Sequence, residues 1–357
     1  MIYSALIRPI LFQFDPERSH DLALDVLGAL GPLSTLLAGP GPRTPDPALE
    51  IEVAGLRFPN PVGLAGGFDK AARALRAWPA LGFGFAEIGT VTALPQPGNP
   101  RPRVFRLPAD AALINRLGFN SPGAEVVARR LAALPRPHPI PIGVNIGRNA
   151  VVPNDAALEN YLFSFEWLHP YADFLVANIS SPNTPELRGL QVREIASALL
   201  EGLAQRNRAL GEKPLFAKIA PDLSEAELAD LVAAMSGRVH GIVATNTTIQ
   251  REGLQSAERD EAGGLSGRPL RDLSTQVIRT LWRLTGGRVP IIGVGGILTA
   301  GDAYEKIKAG ASLIELYTGF VYGGPTTARQ VAGGLRQLLM RDGFGTLVQA
   351  VGASARV

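Results

Sequence analysis

The sequence predicts an α/β fold: a (β/α)8 TIM barrel with an N-terminal two-helix extension. Three observations lead there. Eight short apolar stretches, at residues 62–66, 85–90, 142–146, 174–179, 215–219, 241–245, 291–294 and 313–317, alternate with longer segments whose apolar residues recur at helical spacing. Strand–helix alternation implies parallel pairing, and eight such units close a barrel. The rival, an open doubly wound sheet, lacks its signature, because no G-x-G-x-x-G opens a helix after the first strand. At 357 residues the chain has room for one barrel and an appendage.

Composition removes several classes of chemistry. There is no cysteine, so disulfides, thiolate zinc sites, iron–sulfur ligation and a cysteine nucleophile are all excluded. The four histidines, His20, His138, His169 and His240, are scattered without ligand spacing, so no metal is expected. The net charge is only +3 and no basic run or nucleic-acid motif is present, which argues against nucleic acid as a partner. No apolar run is long enough to span a bilayer. The N-terminus has neither a signal peptide nor an Arg-rich transit sequence.

Residues 1–40 read as a helical hairpin. Ile2, Leu6, Ile7, Ile10, Leu11 and Phe14 fall near helical spacing, with Pro9 expected to interrupt them. Asp15-Pro16-Glu17 is a helix start: an Asp cap, proline in the first turn and an acid beside it. Leu22, Ala23, Val26, Leu27 and Leu30 continue that helix to Gly31-Pro32. A hairpin this small either packs onto the main body or lies on a membrane surface; its pattern supports both. Residues 39–47, rich in Pro and Gly, mark a boundary, and the barrel domain runs from 48 to 357. It opens with a small hairpin over residues 49–58. Helical segments are expected at 124–134, 195–210, 224–235, 273–284 and 300–309. Between residues 90 and 142 a long, proline-crowded insert reads as a functional loop.

A barrel of this type carries its active site at the C-terminal ends of the strands. Three features appear there. Asn115, Asn145, Asn178 and Asn246 supply amides, which suit a ligand with alternating C=O and N–H edges such as a flavin or pyrimidine ring. Lys70 and Lys218 interrupt apolar strand ends; lysine is rarely buried alone, so each implies an anionic neighbour. No carboxylate pair for acid–base work is evident beside them. Gly295-Gly296 after strand seven and Thr318-Gly319 after strand eight match the usual phosphate site of these barrels. Together they suggest a phosphorylated planar cofactor, FMN, with a second polar ring beside it.

The motifs carrying these residues resemble a family: the quinone-dependent (class 2) dihydroorotate dehydrogenases of pyrimidine synthesis. The resemblance rests on Asn60 to Lys70, Asn99 to Pro108, Asn115 to Ser121, Gly143 to Gly147, Asn178 to Pro185, Lys218 to Asp222, Thr245 to Thr248, Gly263 to Leu270, Ile292 to Gly296 and Leu316 to Gly319. It covers essentially the whole chain. The related class 1 enzymes have cysteine as the base and lack the helical extension, so class 2 is the better match.

The resemblance implies an enzyme that oxidises (S)-dihydroorotate to orotate, with hydride passing to FMN and electrons then to ubiquinone or another membrane quinone. It implies Ser181 as the base, with Thr247 and Phe119 as expected neighbours. Flavin contacts would come from Ala65, Gly66, Gly67, Phe68, Asp69, Thr90, Asn145, Asn178, Lys218, Thr245, Gly267, Gly296, Tyr317 and Thr318. From its sequence alone Asp69 reads instead as an exposed acid capping a helix. The substrate pocket would be Lys70, Asn115, Arg116, Leu117, Gly118, Phe119, Asn178, Asn183, Asn246 and Thr247. His20, Arg106 and Tyr317 would line the inner end of a quinone tunnel under the hairpin, although His20 alone reads as a helix-surface residue. The implied setting is a monomer held peripherally on the cytoplasmic side of the cell inner membrane. Two other readings make different demands: a flavin-free lyase or isomerase needs acid–base carboxylates, and a binding protein on a barrel scaffold would have lost its polar site residues.

Overall fold

Strands buried on both faces need near-continuous apolar runs, and such runs pair in parallel with helices covering them. A computed structural model describes residues 3–38 and 46–355 and shows this arrangement. In chain order the strands are β1 (Ile51–Val53), β2 (Leu56–Phe58), β3 (Val62–Leu64), β4 (Phe85–Val91), β5 (Val104–Leu107), β6 (Ala112–Asn115), β7 (Ile142–Ile146), β8 (Phe174–Asn178), β9 (Leu215–Ile219), β10 (Gly241–Ala244), β11 (Gly264–Gly267), β12 (Ile291–Val294) and β13 (Leu313–Leu316). Eight of them, β3, β4, β7, β8, β9, β10, β12 and β13, form a closed parallel barrel in that order. The eight predicted strands are these eight.

The barrel floor is aromatic. Phe85, Phe174 and Phe216 sit at or beside the first residues of their strands, with ring centroids 6.3 and 5.6 Å apart along the row. Each ring fills the space over a glycine in a neighbouring strand: a Cβ on Gly63, Gly143 or Gly241 would come within 2.2, 2.1 or 2.2 Å of a ring atom. Phe58, from the β1–β2 hairpin, adds an edge-to-face contact to Phe85. These rings fill the barrel at the N-terminal ends of its strands.

Helices α1 (Arg8–Leu11) and α2 (Pro16–Leu30) form the extension. Pro9 does not interrupt it. A wide turn over Tyr3–Ile7 feeds α1, and Pro9 falls in the first turn, where no N–H is required. Asp15 caps α2 as expected, accepting from Arg18 N at 2.9 Å. The apolar face of α2 is divided: Leu24 and Leu27 are buried, while Leu22 and Val26 are exposed with Leu6, Ile10, Phe14, Leu33 and Leu36. Most of the expected 39–47 boundary, and the Ile2 position, lie outside the described residues.

Around the barrel run α3 (Ala77–Ala80), α4 (Ala124–Ala132), α5 (Ala157–Leu168), α6 (Arg193–Ala209), α7 (Glu225–Met235), α8 (Arg271–Thr285), α9 (Ala300–Ala309), α10 (Thr318–Gly323) and α11 (Thr327–Arg341). Capping boxes start α7 (Ser224 with Glu227) and α9 (Thr299 with Asp302). The 90–142 insert is not a bare loop. It supplies β5 and β6, which pair antiparallel with each other, and β6 also pairs antiparallel with β11 from the loop after β10. This small sheet stands at the barrel mouth over its own apolar cluster, which includes Leu107, Ile114 and Leu265.

Candidate active site

Lys218 is the centre of the mouth. It lies in β9, where β8 and β10 flank it. Its Nζ donates to Glu87 Oε1 of β4 at 2.8 Å and lies 3.5 Å from Glu315 Oε2 of β13. All three side chains are buried. Burial works against the lysine charge, but the two carboxylates outweigh it and hold the ammonium above the usual lysine range. Burial first, and then the Glu87 charge, push the Glu315 carboxyl well up. Glu87 and Glu315 correct the expectation that no carboxylate pair accompanies the lysines. Their signal was present: each is a single acid inside an otherwise apolar strand, and a buried acid requires a partner.

Amides spread from this trio. Asn145 Nδ2 donates to Glu87 Oε1 at 2.8 Å, while its Oδ1 accepts from Thr90 Oγ1 at 2.5 Å and Asn178 Nδ2 at 3.2 Å. Asn178 Oδ1 accepts from Asn246 Nδ2 at 3.3 Å, and Asn246 Nδ2 also donates to Ser180 Oγ at 3.0 Å. Beyond these, Asn183 Nδ2 donates to Asn115 Oδ1 at 3.2 Å. These bonds fix the orientation of each amide.

One polar cavity joins most of the expected residues: Ala65, Gly66, Gly67, Lys70, Thr90, Asn115, Leu117, Gly118, Phe119, Asn178, Lys218, Thr245, Asn246, Thr247, Gly267, Gly296, Tyr317 and Thr318. Others stand outside its wall. Asn145 is buried behind Thr90 and Asn178. Arg116 turns away to Glu261, 2.6 Å from Nη1 to Oε2. Phe68 packs edge-on against His20, Trp78, Tyr317 and Phe320. Asp69 is buried, not exposed, and its carboxylate is spent on Arg73 N, Ala74 N and Trp78 Nε1 at 2.7, 2.9 and 3.2 Å. Ser181 is buried, and its Oγ accepts from Asn183 N at 3.2 Å. No hydrogen bond among the described residues joins Ser181 to Thr247.

Lys70 differs from Lys218. Its Nζ donates to Gly67 O at 2.8 Å, and no carboxylate among the described residues forms an ion pair with it. Burial pushes it down to about 8.

The cradle fits a phosphate group. Gly66 brings backbone so close to Glu87 that a Cβ there would come within 2.0 Å of Oε1. Gly267, Gly295 and Gly296 adopt φ of +95°, +111° and +70°, values that L side chains rarely take. The N–H groups of Gly295 and Gly296, which line the cavity, bond to nothing among the described residues. Thr318 Oγ1 and Ser266 Oγ lie 2.8 Å apart on the facing wall; Ser266 went unnoticed in the sequence. Open peptide donors with no competing carboxylate suit a phosphate.

A second, apolar cavity of about 630 Å³ lies between the extension and the barrel. His20, Arg106, Tyr317 and Phe68 line it, and Lys70, Leu117 and Tyr317 belong to both cavities. His20 Nε2 donates to Phe68 O at 2.8 Å, so the histidine faces inward rather than lying on a helix surface. Burial, with the Lys70 charge behind it, lowers it to about 4 and keeps the ring neutral. Arg106 Nη1 donates to Phe14 O at 2.7 Å, and its guanidinium lies 4.5 Å from the Phe12 ring centroid.

Fold and site define a (β/α)8-barrel enzyme with a polar, anion-receptive mouth joined to an apolar tunnel. The dihydroorotate dehydrogenase family model matches residues 48–339. A protein of Anaeromyxobacter dehalogenans named dihydroorotate dehydrogenase (quinone) is 52% identical, covering 100% of this chain and 98% of its own. One of the same name from Acidithiobacillus ferrooxidans is 51% identical over 98% and 99%. A crystal structure of DHODH from Eimeria tenella in complex with ferulenol superposes with a TM-score of 0.88 at 39% identity, covering 96% of each chain. The chain belongs to the dihydroorotate dehydrogenase family.

Proposed function

We propose that the chain oxidises (S)-dihydroorotate to orotate in pyrimidine synthesis and delivers the electrons to a membrane quinone. One observation carries this reading: a polar mouth built for a ring with alternating donors and acceptors shares the wall Lys70, Leu117 and Tyr317 with an apolar tunnel. FMN, held by the glycine loops, Thr318 and Lys218, would supply the acceptor for the hydride that leaves C6 with the electron pair of the C6–H bond.

The chain's own residues do the rest. Asn115, Asn178, Asn183 and Asn246 with Thr247 orient the substrate's ring edges, and Lys70 attracts its carboxylate. Such a set rejects analogues that lack those edges, because its buried amides would be left unpaired. Ser181 takes the C5 proton onto Oγ and must pass it to water, since a serine is a weak base at neutral pH. The C5 proton and the C6 hydride together account for the two hydrogens lost. Residues 1–40 serve as tunnel and membrane contact, and residues 48–357 as the catalytic barrel. No helix among the described residues is long and apolar enough to cross a membrane. Attachment on the cytoplasmic side of the inner membrane would therefore be peripheral, through the exposed apolar face of the extension.

The test is an anaerobic absorption spectrum before and after dihydroorotate. A flavin band that bleaches, then returns with quinone, supports the reading. A band that persists rejects the substrate, and absence of any band after adding FMN rejects the cofactor.

A further inference from the structure

The proposed reaction gives no role to a buried cation on α9. Lys306, on α9, is fully buried. Its Nζ donates to Arg271 O at 3.2 Å, to Thr275 Oγ1 at 2.9 Å and to Ser274 Oγ. All three partners are neutral oxygens, and none of the ion pairs among the described residues includes Lys306. They belong to the first turn of α8, the positive end of that helix, where a further positive charge is unfavourable. The charged groups around it are Asp302 and Glu305 on its own helix and Asp272 and Arg271 on α8. Arg271 is itself engaged by Asp272 at 2.7 Å and Asp302 at 3.6 Å. These attractions do not offset burial, which lowers the amine to about 7. A buried ammonium without an anion is costly to keep.

The same turn of α8 is the floor of the Gly295–Gly296 loop. Ser274 Oγ lies 3.0 Å from Gly295 O. A Cβ on Gly296 would come within 2.3 Å of Arg271 Cα. Lys306 thus stands on one side of this turn and the open N–H groups of the loop on the other, with Ser274 linking them.

We propose that Lys306 is the buried counter-charge of the phosphate loop. Through Ser274 it sets the Gly295–Gly296 backbone, and its ammonium balances the phosphate dianion of the flavin nucleotide. It is a positioning residue that does not touch the ligand, and the proposal rests on the FMN reading above.

The test titrates the flavin-free, full-length chain with FMN and with riboflavin, which has the same ring and no phosphate. Lys306→Met should weaken FMN on the order of tenfold or more and leave riboflavin within about twofold. Equal weakening of both would make Lys306 merely structural and overturn the proposal, as would no change in either. Should that variant fail to fold, Ser274→Ala keeps the ammonium but cuts its link to the loop. A loss confined to FMN supports the proposal, and an unchanged FMN-to-riboflavin ratio overturns it. Wild-type chain that binds FMN no better than riboflavin would show that the phosphate is not recognised, and would also overturn it. Wild-type chain that binds neither flavin would instead remove the cofactor reading on which the proposal stands.

Discussion

The proposed roles of Ser181 and Lys70 can each be tested on a single residue. Ser181 Oγ accepts only the Asn183 N–H among the described residues, so removing it should leave the flavin cradle intact. Ser181→Ala is expected to lower kcat by about 10²-fold or more while flavin stays bound; unchanged turnover would exclude Ser181 as the base. Lys70 has burial pushing it to about 8. The protonated form attracts an anionic substrate and the neutral amine does not. The ratio kcat/KM for dihydroorotate should therefore fall as pH rises through about 8, and that limb should vanish in Lys70→Met. Most residues lining the candidate cavity were legible at this scale because polar residues ending apolar strands have few structural excuses. Glu87 and Glu315 were not, since a strand-end survey does not look inside the strand. Asp69 was misjudged because a local motif cannot show that Trp78 would close over it.

At the scale of elements, a buried ion pair is among the contacts that hold the extension to the barrel. Arg103 Nη2 reaches Glu17 Oε1 at 2.6 Å, with both side chains almost fully covered. Arg101 adds a more exposed bond at 3.0 Å. Burial opposes the Glu17 charge, but the bonds from Arg103 and Arg101 outweigh it and hold the carboxyl below its ordinary 4.5. A carboxyl so lowered stabilises docking above about pH 4.5 and loses that contribution as pH falls through the lowered value. Glu17→Ala leaves Arg103 buried with only the Pro97 and Asn99 carbonyls, at 2.7 Å each. Undocking of the hairpin should become easier by about 3 kcal/mol, read as faster amide exchange confined to residues 3–38. Uniform loss of protection across the barrel would show that the pair holds the whole fold instead. The latch was invisible in the sequence because its partners lie 86 residues apart. The pairing of β6 with β11 was hidden for the same reason, and the prolines around β5 and β6 read as loop.

On the proposed reading the whole molecule joins two solvents: the mouth takes a small anion from water and the tunnel an apolar molecule from lipid. Among the described residues, Lys70, Leu117 and Tyr317 line both cavities. The barrel half was legible because each strand is short, apolar and followed by a helix. The tunnel was not legible in the pattern, since the apolar residues of α2 fit packing and membrane contact equally, and only the resemblance suggested it; in the structure some of those residues are buried and others exposed. Two cavities with one shared wall imply half-reactions that can be blocked separately. Ala23 lines the tunnel and is partly exposed, so a larger side chain can enter there without displacing the core. Ala23→Trp should leave the rate of flavin bleaching by dihydroorotate within about twofold. Reoxidation by a long-tailed quinone should slow on the order of tenfold, the loss expected when a ligand forfeits about 1.4 kcal/mol of apolar contact. A small water-soluble acceptor that reaches the flavin through the mouth should be unaffected. If stopped-flow traces show both halves slowing together, the cavities act as one site, and the division of labour between extension and barrel fails with them.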